Sequence, residues 1–338
     1  MRVVPPGNPQ RAQSNGRVRL DYPPPTYAAG AGPGLRSRER SESDRCSTLP
    51  GTVRIIDHFA NVSALAVVAH RVTPTNVRLG VVFSPAEALA RLRRGDVALG
   101  RLDVLPSLDG IEPGLWALDR LAALGVTVLN GPTTLTAAHD KLATAATLRA
   151  AGVPHPDTVH LAPWLPPPAL SPPLVLKPRF GSWGADVVRC DDAASLQRAL
   201  AELRSRPWFD ATGAVAQRLV PPRGYDLRVI VAGGRVAGAV RRVAAPGEWR
   251  TNVALGARRE QVTPPPSARL VARAAAAAVD GDLVGIDLLP DERGRWVVLE
   301  VNGAVDFNAL YALGGDVFET VRTSLFDAQQ SVAVEALA

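Results

Sequence analysis

Lysine is almost absent from this chain of 338 residues: there are two, Lys141 and Lys177, against 36 arginines. Drift from lysine to arginine accounts for the scarcity, but not for where the two survivors lie. Cysteine is equally scarce. Cys46 and Cys190 share no CxxC spacing, which excludes a disulfide framework and a zinc ribbon. The five histidines are scattered, and His155 and His160 fall in a proline-rich stretch unlike a ligand-bearing helix, so no histidine metal centre is indicated. No apolar run approaches the roughly 20 residues that cross a bilayer, and no apolar stretch of a secretory signal opens the chain. These absences leave a soluble, cytoplasmic globular protein of two or three domains.

The net charge of +6 invites a nucleic-acid partner, but its distribution argues otherwise. Residues 1–50 hold eight arginines against Asp21, Glu39, Glu42 and Asp44, which leaves the other 288 residues at +2. A nucleic-acid-binding role would therefore rest on this tail. Rich in Pro, Gly, Ser and Arg, the tail lacks the apolar surface to offset ordering and is expected to be disordered. Its Gly30-Ala31-Gly32-Pro33-Gly34 has no strand before it and no helix after it, so it fails as a dinucleotide loop.

Structure is expected from near Thr52. Strands over Ser63–Ala69, Asp96–Leu99 and Val126–Leu129 alternate with helices over Pro85–Arg93 and Leu115–Leu124, which predicts a small parallel α/β domain over 52–130. A central region, 131–213, opens with one helix over Thr133–Ala151 that carries Lys141 and stops at Gly152 and Pro154. After the proline-rich Pro163–Pro173 come a strand (Leu174–Lys177), a glycine loop (Pro178–Gly184), a strand (Ala185–Cys190) and a helix starting at Asp191-Asp192, so that the two strands form a hairpin lid. The last region, 214–330, has a strand over Ala214–Val220, a hairpin over Asp226–Val231 and Arg235–Val243 about Gly233-Gly234, an Ala-rich helix over Ser267–Val279, and a hairpin over Leu283–Leu289 and Arg295–Asn302.

That last hairpin is the most specific feature. Glu300 and Asn302 share a strand face, and closure of the turn at 290–295 places Asp287 opposite Glu300. Facing carboxylates in an apolar sheet repel unless a cation separates them, and Asp, Glu and Asn are the hard oxygen donors that Mg²⁺ or Mn²⁺ takes. In the loop before Ala185, Gly181 and Gly184 flank Ser182-Trp183 and open the backbone N–H groups to phosphate oxygens, with Lys177 supplying charge. Arg228, Arg241, Arg242 and Arg250 lie on or just after the Gly233-Gly234 hairpin, where they suit a reaction that moves phosphate and develops an oxyanion; Asn252 adds a polar contact beside Arg250.

In order along the chain, these motifs resemble the ATP-grasp superfamily, and within it the RimK-type and LysX-like carboxylate–amine ligases. The resemblance covers roughly residues 64–325. It implies an ATP-grasp fold, α/β (α+β) in class, behind an N-terminal parallel α/β domain, with ATP and two Mg²⁺ (or Mn²⁺) ions as cofactors. His139-Asp140-Lys141-Leu142 resembles the central-domain lysine helix, and Leu176-Lys177-Pro178 with Gly181-Ser182-Trp183-Gly184 resembles the phosphate lysine and flexible loop. Gln217-Arg218-Leu219-Val220 matches the hinge whose backbone holds adenine, Asp226 in Gly224-Tyr225-Asp226-Leu227-Arg228 would bind ribose, and Arg250-Thr251-Asn252 lies near phosphates and substrate. Asp287, Glu300 and Asn302 match the metal ligands, while Arg250 with Arg242 would stabilise the oxyanion. Two departures stand out: Arg218 replaces a frequent hinge Glu, and Gly303-Ala304-Val305-Asp306-Phe307 is closer to the LysX-like pattern than to Ser-Pro-Gly.

The resemblance implies a ligase that joins an amino acid to a peptide, carrier-protein or small-molecule carboxylate through an acyl phosphate, and it implies a homodimer or homotetramer. The rival readings are an ATP-binding module without turnover and a nucleic-acid binder working through the tail.

Overall fold

The computed structural model describes residues 65–103, 114–166 and 169–335. The expected disordered tail over 1–50 and the start near Thr52 lie outside these residues. Three sheets carry the fold. In the first, β1 (Ala66–Ala69), β2 (Val81–Phe83), β3 (Val97–Arg101) and β4 (Thr127–Leu129) run parallel in the order β2-β1-β3-β4. The expected strands and helices of this region are present as β1, β3, β4, α2 (Pro85–Arg91) and α3 (Leu115–Ala123). Sequence reading missed α1 (Pro74–Leu79) and β2, whose six and three residues are too short for a period to show. Their helices nevertheless start on local signals: Thr73 and Asn76, then Ser84 and Glu87, form reciprocal caps with proline in the first turn.

The single helix expected over Thr133–Ala151 is two helices, α4 (Pro132–His139) and α5 (Lys141–Ala150). Asp140 adopts an extended conformation between them and its carboxylate accepts from the Leu142 N–H at 2.9 Å, so it caps α5 instead of continuing α4. Arg179 grips the same carboxylate through Nε and Nη2, at 2.9 and 2.5 Å, and so ties the break to the start of the glycine loop.

The second sheet, β5-β8-β6-β7, is antiparallel: β5 (Thr158–Leu161), β6 (Leu174–Pro178), β7 (Val188–Cys190) and β8 (Ala214–Arg218). Here β7 is shorter than the expected Ala185–Cys190 strand, because Asp186 and the lid residues Trp183 and Gly184 have positive φ and break the extended run. Ala214–Arg218, grouped with the last region by sequence, pairs with β5 and β6. The helices α6 (Ala193–Leu203), capped by Asp192 and Ser195, and α7 (Pro207–Thr212) cover this sheet.

The third sheet is β11-β10-β9-β12-β13, made by β9 (Tyr225–Ala232), β10 (Arg235–Val243), β11 (Arg258–Gln261), β12 (Leu283–Pro290) and β13 (Trp296–Asn302). Its two faces differ sharply. Leu227, Val229, Val231, Val284, Ile286 and Leu288 pack on α8 (Pro266–Ala278), where Ala268, Ala272, Ala275 and Ala276 recur at helical spacing and let the helix lie close. The opposite face is polar at one end and apolar at the other. Ile230, Ala232 and Val240 meet α9 (Val317–Glu335), a helix not anticipated from sequence, whose Val317, Val321 and Leu325 also join Val67 and Val97 of the first sheet in one core. Gly233, at φ +52°, turns the β9–β10 hairpin beneath this helix: a Cβ there would lie 2.0 Å from the Ser324 carbonyl oxygen. Among the described residues no helix is long and apolar enough to cross a membrane.

Candidate active site

The polar end of the third sheet, the second sheet and the glycine loop enclose one cavity. Lys141, Lys177, Gly181, Ser182, Trp183 and Gly184 line it from the lid side. Gln217, Arg218 and Leu219 line it at the junction with β9, and Asp226, Arg242, Arg250, Thr251, Asn252, Asp287 and Glu300 from the third sheet and its loop. Three expected residues do not line it: Arg241 points away from it to Glu260, at 3.5 Å, and the Tyr225 ring, and the other two are Arg228 and Asn302. Arg228 lies behind Asp287, and Asn302 is one turn of the pleat beyond Glu300. The apolar lining by Val175, Val187, Leu289 and Leu299 was not anticipated, although Leu289, two residues after Asp287, could have been placed on the same face by alternation.

The two lysines converge from different elements. Lys141, first residue of α5, donates to the Gly181 carbonyl at 2.6 Å and lies 3.5 Å from Glu300 Oε1. Lys177, on β6, donates to Gln217 Oε1 at 2.7 Å. Gln217 is buried, and its amide nitrogen donates to Thr158 Oγ1 at 3.0 Å and lies 3.4 Å from His155 Nε2. Burial pulls the Lys177 ammonium down to about 8, with Lys141 adding to the shift and Glu300 opposing it. Burial, and then the charge of Lys177, pull His155 down to about 4, so its ring is neutral at ordinary pH.

The rung expected between Asp287 and Glu300 is present, with a bulge immediately after it. Arg228, paired with Asp287 across β9 and β12, grips that carboxylate through Nε and, at 2.7 Å, Nη2. Arg242 Nη2 lies 2.9 Å from the same carboxylate and also bonds Asp226, whose Oδ1 accepts from Arg242 Nε at 2.8 Å. Thr251 donates to Asp226 Oδ2 at 2.5 Å. Two acids and two guanidinium groups thus form a nearly buried ladder. Burial pushes Asp287 upward, but Arg228 and Arg242 together outweigh it and hold the carboxyl below its ordinary value. For Asp226, which has one arginine, burial prevails and the carboxyl is raised.

The lid is latched from the other side. Arg250 donates to the Gly184 carbonyl at 3.0 Å while its Nε and Nη2 hold Glu248 at 3.0 and 2.7 Å, a fork that draws the Glu248 carboxyl down to about 2. Gly184 rests against Asn252, and Trp183 beside it is 56% exposed at φ +60°.

The donor chemistry suits a hard divalent ion. An ionised carboxylate has about four acceptor positions, and the arginines use three on Asp287. Glu300 is half-buried with Lys141 as its ion-pair partner, and Asn302 uses its amide nitrogen on the Gly285 carbonyl at 3.4 Å, leaving its oxygen as a donor to metal. Among the described residues no group of three or more His, Cys, Asp or Glu side chains is placed to hold a metal, so a cation here depends on two carboxylates and an amide.

Residues 140–321 match the RimK-like ATP-grasp domain. The chain is 30% identical over 224 residues to the glutamate–LysW ligase ArgX of Sulfurisphaera tokodaii, across 62% of this chain and 76% of that protein. It is 27% identical over 227 residues to the tetrahydromethanopterin:alpha-L-glutamate ligase of Methanosarcina acetivorans, across 62% and 70%. Among solved structures, D-cycloserine synthetase DcsG has a TM-score of 0.57 at 18% identity, covering 79% of this chain and 99% of that one. D-alanine–D-alanine ligase from Bacillus anthracis complexed with ATP has a TM-score of 0.55 at 16% identity, covering 81% and 97%. The structural likenesses establish an ATP-grasp fold, and the domain match with the sequence identities narrows it. The chain belongs to the RimK-like ATP-grasp family of carboxylate–amine ligases.

Proposed function

We propose that the chain is an ADP-forming ligase that joins an amino acid to a carboxylate on a peptide, carrier protein or small molecule. The observation that carries this reading is the convergence of Lys141, Lys177 and the Asp287–Glu300 rung on one cavity under a glycine lid. The names of the relatives, ligases of glutamate, support an amino acid as the amine.

In the first step a substrate carboxylate oxygen bonds to the γ-phosphorus of ATP, the bond to the bridging oxygen breaks, and ADP leaves. In the second, the amine nitrogen bonds to the acyl carbon, phosphate leaves, and the nitrogen loses a proton. Lys141 and Lys177 place positive charge on the phosphates, and backbone N–H groups of Gly181–Gly184 enclose them. The hinge Gln217–Leu219 borders the apolar walls that suit a flat base, with Asp226 beyond it for the ribose. Asp287, Glu300 and Asn302 would hold Mg²⁺ or Mn²⁺, two ions in the fullest case. A divalent ion supplies neutralisation of charge on phosphate oxygens. Arg250 and Arg242 supply positive charge for the oxyanion of the second step, while Arg228 orients Asp287 from behind.

The test is a screen of ADP release from ATP and Mg²⁺ with amino acids and candidate acceptor acids, followed by the product mass. A product equal to acid plus amine less one water is expected. ADP release with no such product, or none with any pair, would count against the reading.

A further inference from the structure

In the second sheet Thr158, Gln217 and Val175 stand on one rung across β5, β8 and β6, so their side chains share a face. Lys177, two residues along β6 from Val175, joins them by alternation. Lys177 and Gln217 line the cavity, whereas His155 and Thr158, on the stretch that leads into β5, do not.

The amide of Gln217 has two ends, and only one of them can hold a lysine. Its Oε1 accepts from Lys177 Nζ at 2.7 Å. Turned over, it would set an NH₂ group against an ammonium. The orientation is fixed by where two neighbouring hydrogens go. Thr158 Oγ1 donates to the Pro156 carbonyl at 2.9 Å, so it meets Gln217 Nε2, at 3.0 Å, with a lone pair. The neutral His155 ring also bonds the backbone of Pro156, which has no N–H and can only accept. Because His155 Nε2 lies 3.4 Å from the Gln217 amide nitrogen, the ring N–H is at Nδ1 and Nε2 presents a lone pair. One proline carbonyl thus takes a hydrogen from each residue, and both turn acceptors toward the same amide. A reversed Gln217 would face two lone pairs with its oxygen.

The segment that carries these acceptors is itself anchored. Pro154 and Pro156 flank His155 and confine its backbone. The Pro154 carbonyl accepts from the Val298 N–H at 2.9 Å, on β13 two residues before Glu300. What orients Gln217 is therefore tied to the strand of a carboxylate assigned to metal.

Resting on the ligase reading above, we propose that His155 and Thr158 are positioning residues for Lys177: by locking the Gln217 amide they hold its ammonium at the nucleotide phosphates. Of the three ammonium N–H groups one goes to Gln217, and two remain for phosphate oxygens. Neither His155 nor Thr158 lines the cavity, so each acts through Gln217.

Calorimetric titration of ADP with Mg²⁺ into the full chain tests this. His155→Leu and Thr158→Val replace the acceptors by apolar groups of similar size, and each should weaken ADP binding by about fivefold, the worth of one neutral hydrogen bond. His155→Gln and Thr158→Ser return an acceptor and should restore binding to within about twofold of wild type. In a Lys177→Met background, His155→Leu should change the affinity by less than about twofold, because the group through which it acts is gone. Circular dichroism and the urea midpoint identify the folded variants, and if one acceptor-free variant fails to fold, the other with its conservative partner decides. Unchanged binding in folded His155→Leu and Thr158→Val, no rescue by the conservative variants, or a loss as large without Lys177 as with it overturns the positioning role. Absence of ADP binding by wild type would overturn the nucleotide site as well. The ligase reading is otherwise untouched by these results, since it stands or falls on ADP release and product mass.

Discussion

Arg228 holds Asp287 through the two N–H groups of one guanidinium edge, Nε and Nη2, from the adjacent strand, so the carboxylate proposed to bind metal is already oriented and charge-balanced by protein. With Arg242 on its other side, Asp287 is the centre of a buried ladder and not a free ligand. Removing one member of a buried ion pair costs about 3–5 kcal/mol, because the partner is left charged and unmatched. Asp287→Asn should therefore lose both stability, seen in the urea midpoint, and ADP release. Glu300→Gln gives up only a half-buried contact of 3.5 Å with Lys141, and should lose turnover with little change in the midpoint. The activity loss expected for each is about a hundredfold or more, typical of a missing electrostatic partner in a transition state. Undiminished turnover in either variant would sink the metal assignment.

Lys141 and Lys177 are the only lysines in a chain that uses arginine elsewhere, and both have short contacts sized for an ammonium, 2.6 Å to Gly181 O and 2.7 Å to Gln217 Oε1. A guanidinium is longer and planar and does not fit those positions without moving the lid or the hinge. Lys→Arg at either position should raise the KM for ATP by about tenfold, a shift of one lost charged hydrogen bond. Full activity in both arginine variants would make their survival an accident of drift.

Much of this site could be read from residue order alone, and what could not has a physical reason. The Asp287–Glu300 rung follows from one turn and strand alternation, both local, and β12 and β13 end within a residue of expectation. The break at Asp140 was hidden because apolar spacing continues across it; only an Asp preceding a helix start hinted at a cap. Arg228 was grouped by sequence with the other arginines of the Gly233-Gly234 hairpin, without a partner. Its position behind Asp287 depends on the register of β9 against β12, strands more than 50 residues apart, which no local pattern encodes. The ion pair of Arg101 with Asp306 is further still from legibility, since it joins residues 205 apart in the chain.

Gly184 gives a test of the lid that leaves every charged group in place. At φ +77°, its added Cβ would stand 2.7 Å from Asn252 Oδ1, so Gly184→Ala brings both backbone strain and a contact that must yield. The left-handed conformation alone costs an L-residue about 1–2 kcal/mol. The lid should lift from the Arg250–Asn252 segment, raising the KM for ATP several-fold by that arithmetic while the unfolding midpoint of the rest of the chain changes little. Exposed Trp183, at the neighbouring position, reports the same event: nucleotide should alter its emission less in the variant. An unchanged KM would show that the Gly184–Asn252 contact is dispensable.

Lys177 sets a pH dependence with a definite sign. Its ordinary value of 10.5 falls to about 8 in the folded chain, chiefly through burial. Between those values the unfolded chain binds more protons than the folded one, so this group makes stability rise with pH from about 8 to 10.5 and contributes a constant penalty below 8. Nucleotide binding runs the opposite way, because phosphate needs the ammonium: affinity should be flat below the folded value and decline as pH passes upward through it, with bound phosphate moving the break to higher pH. Titrations of ADP with Mg²⁺ between pH 6.5 and 9.5 would show the decline, and Lys177→Met should bind weakly and without it. Gln217→Glu sharpens the test, since a carboxylate at 2.7 Å from the ammonium would raise its value and carry the break upward. A break at the same pH in wild type and Gln217→Glu would remove Lys177 from the explanation.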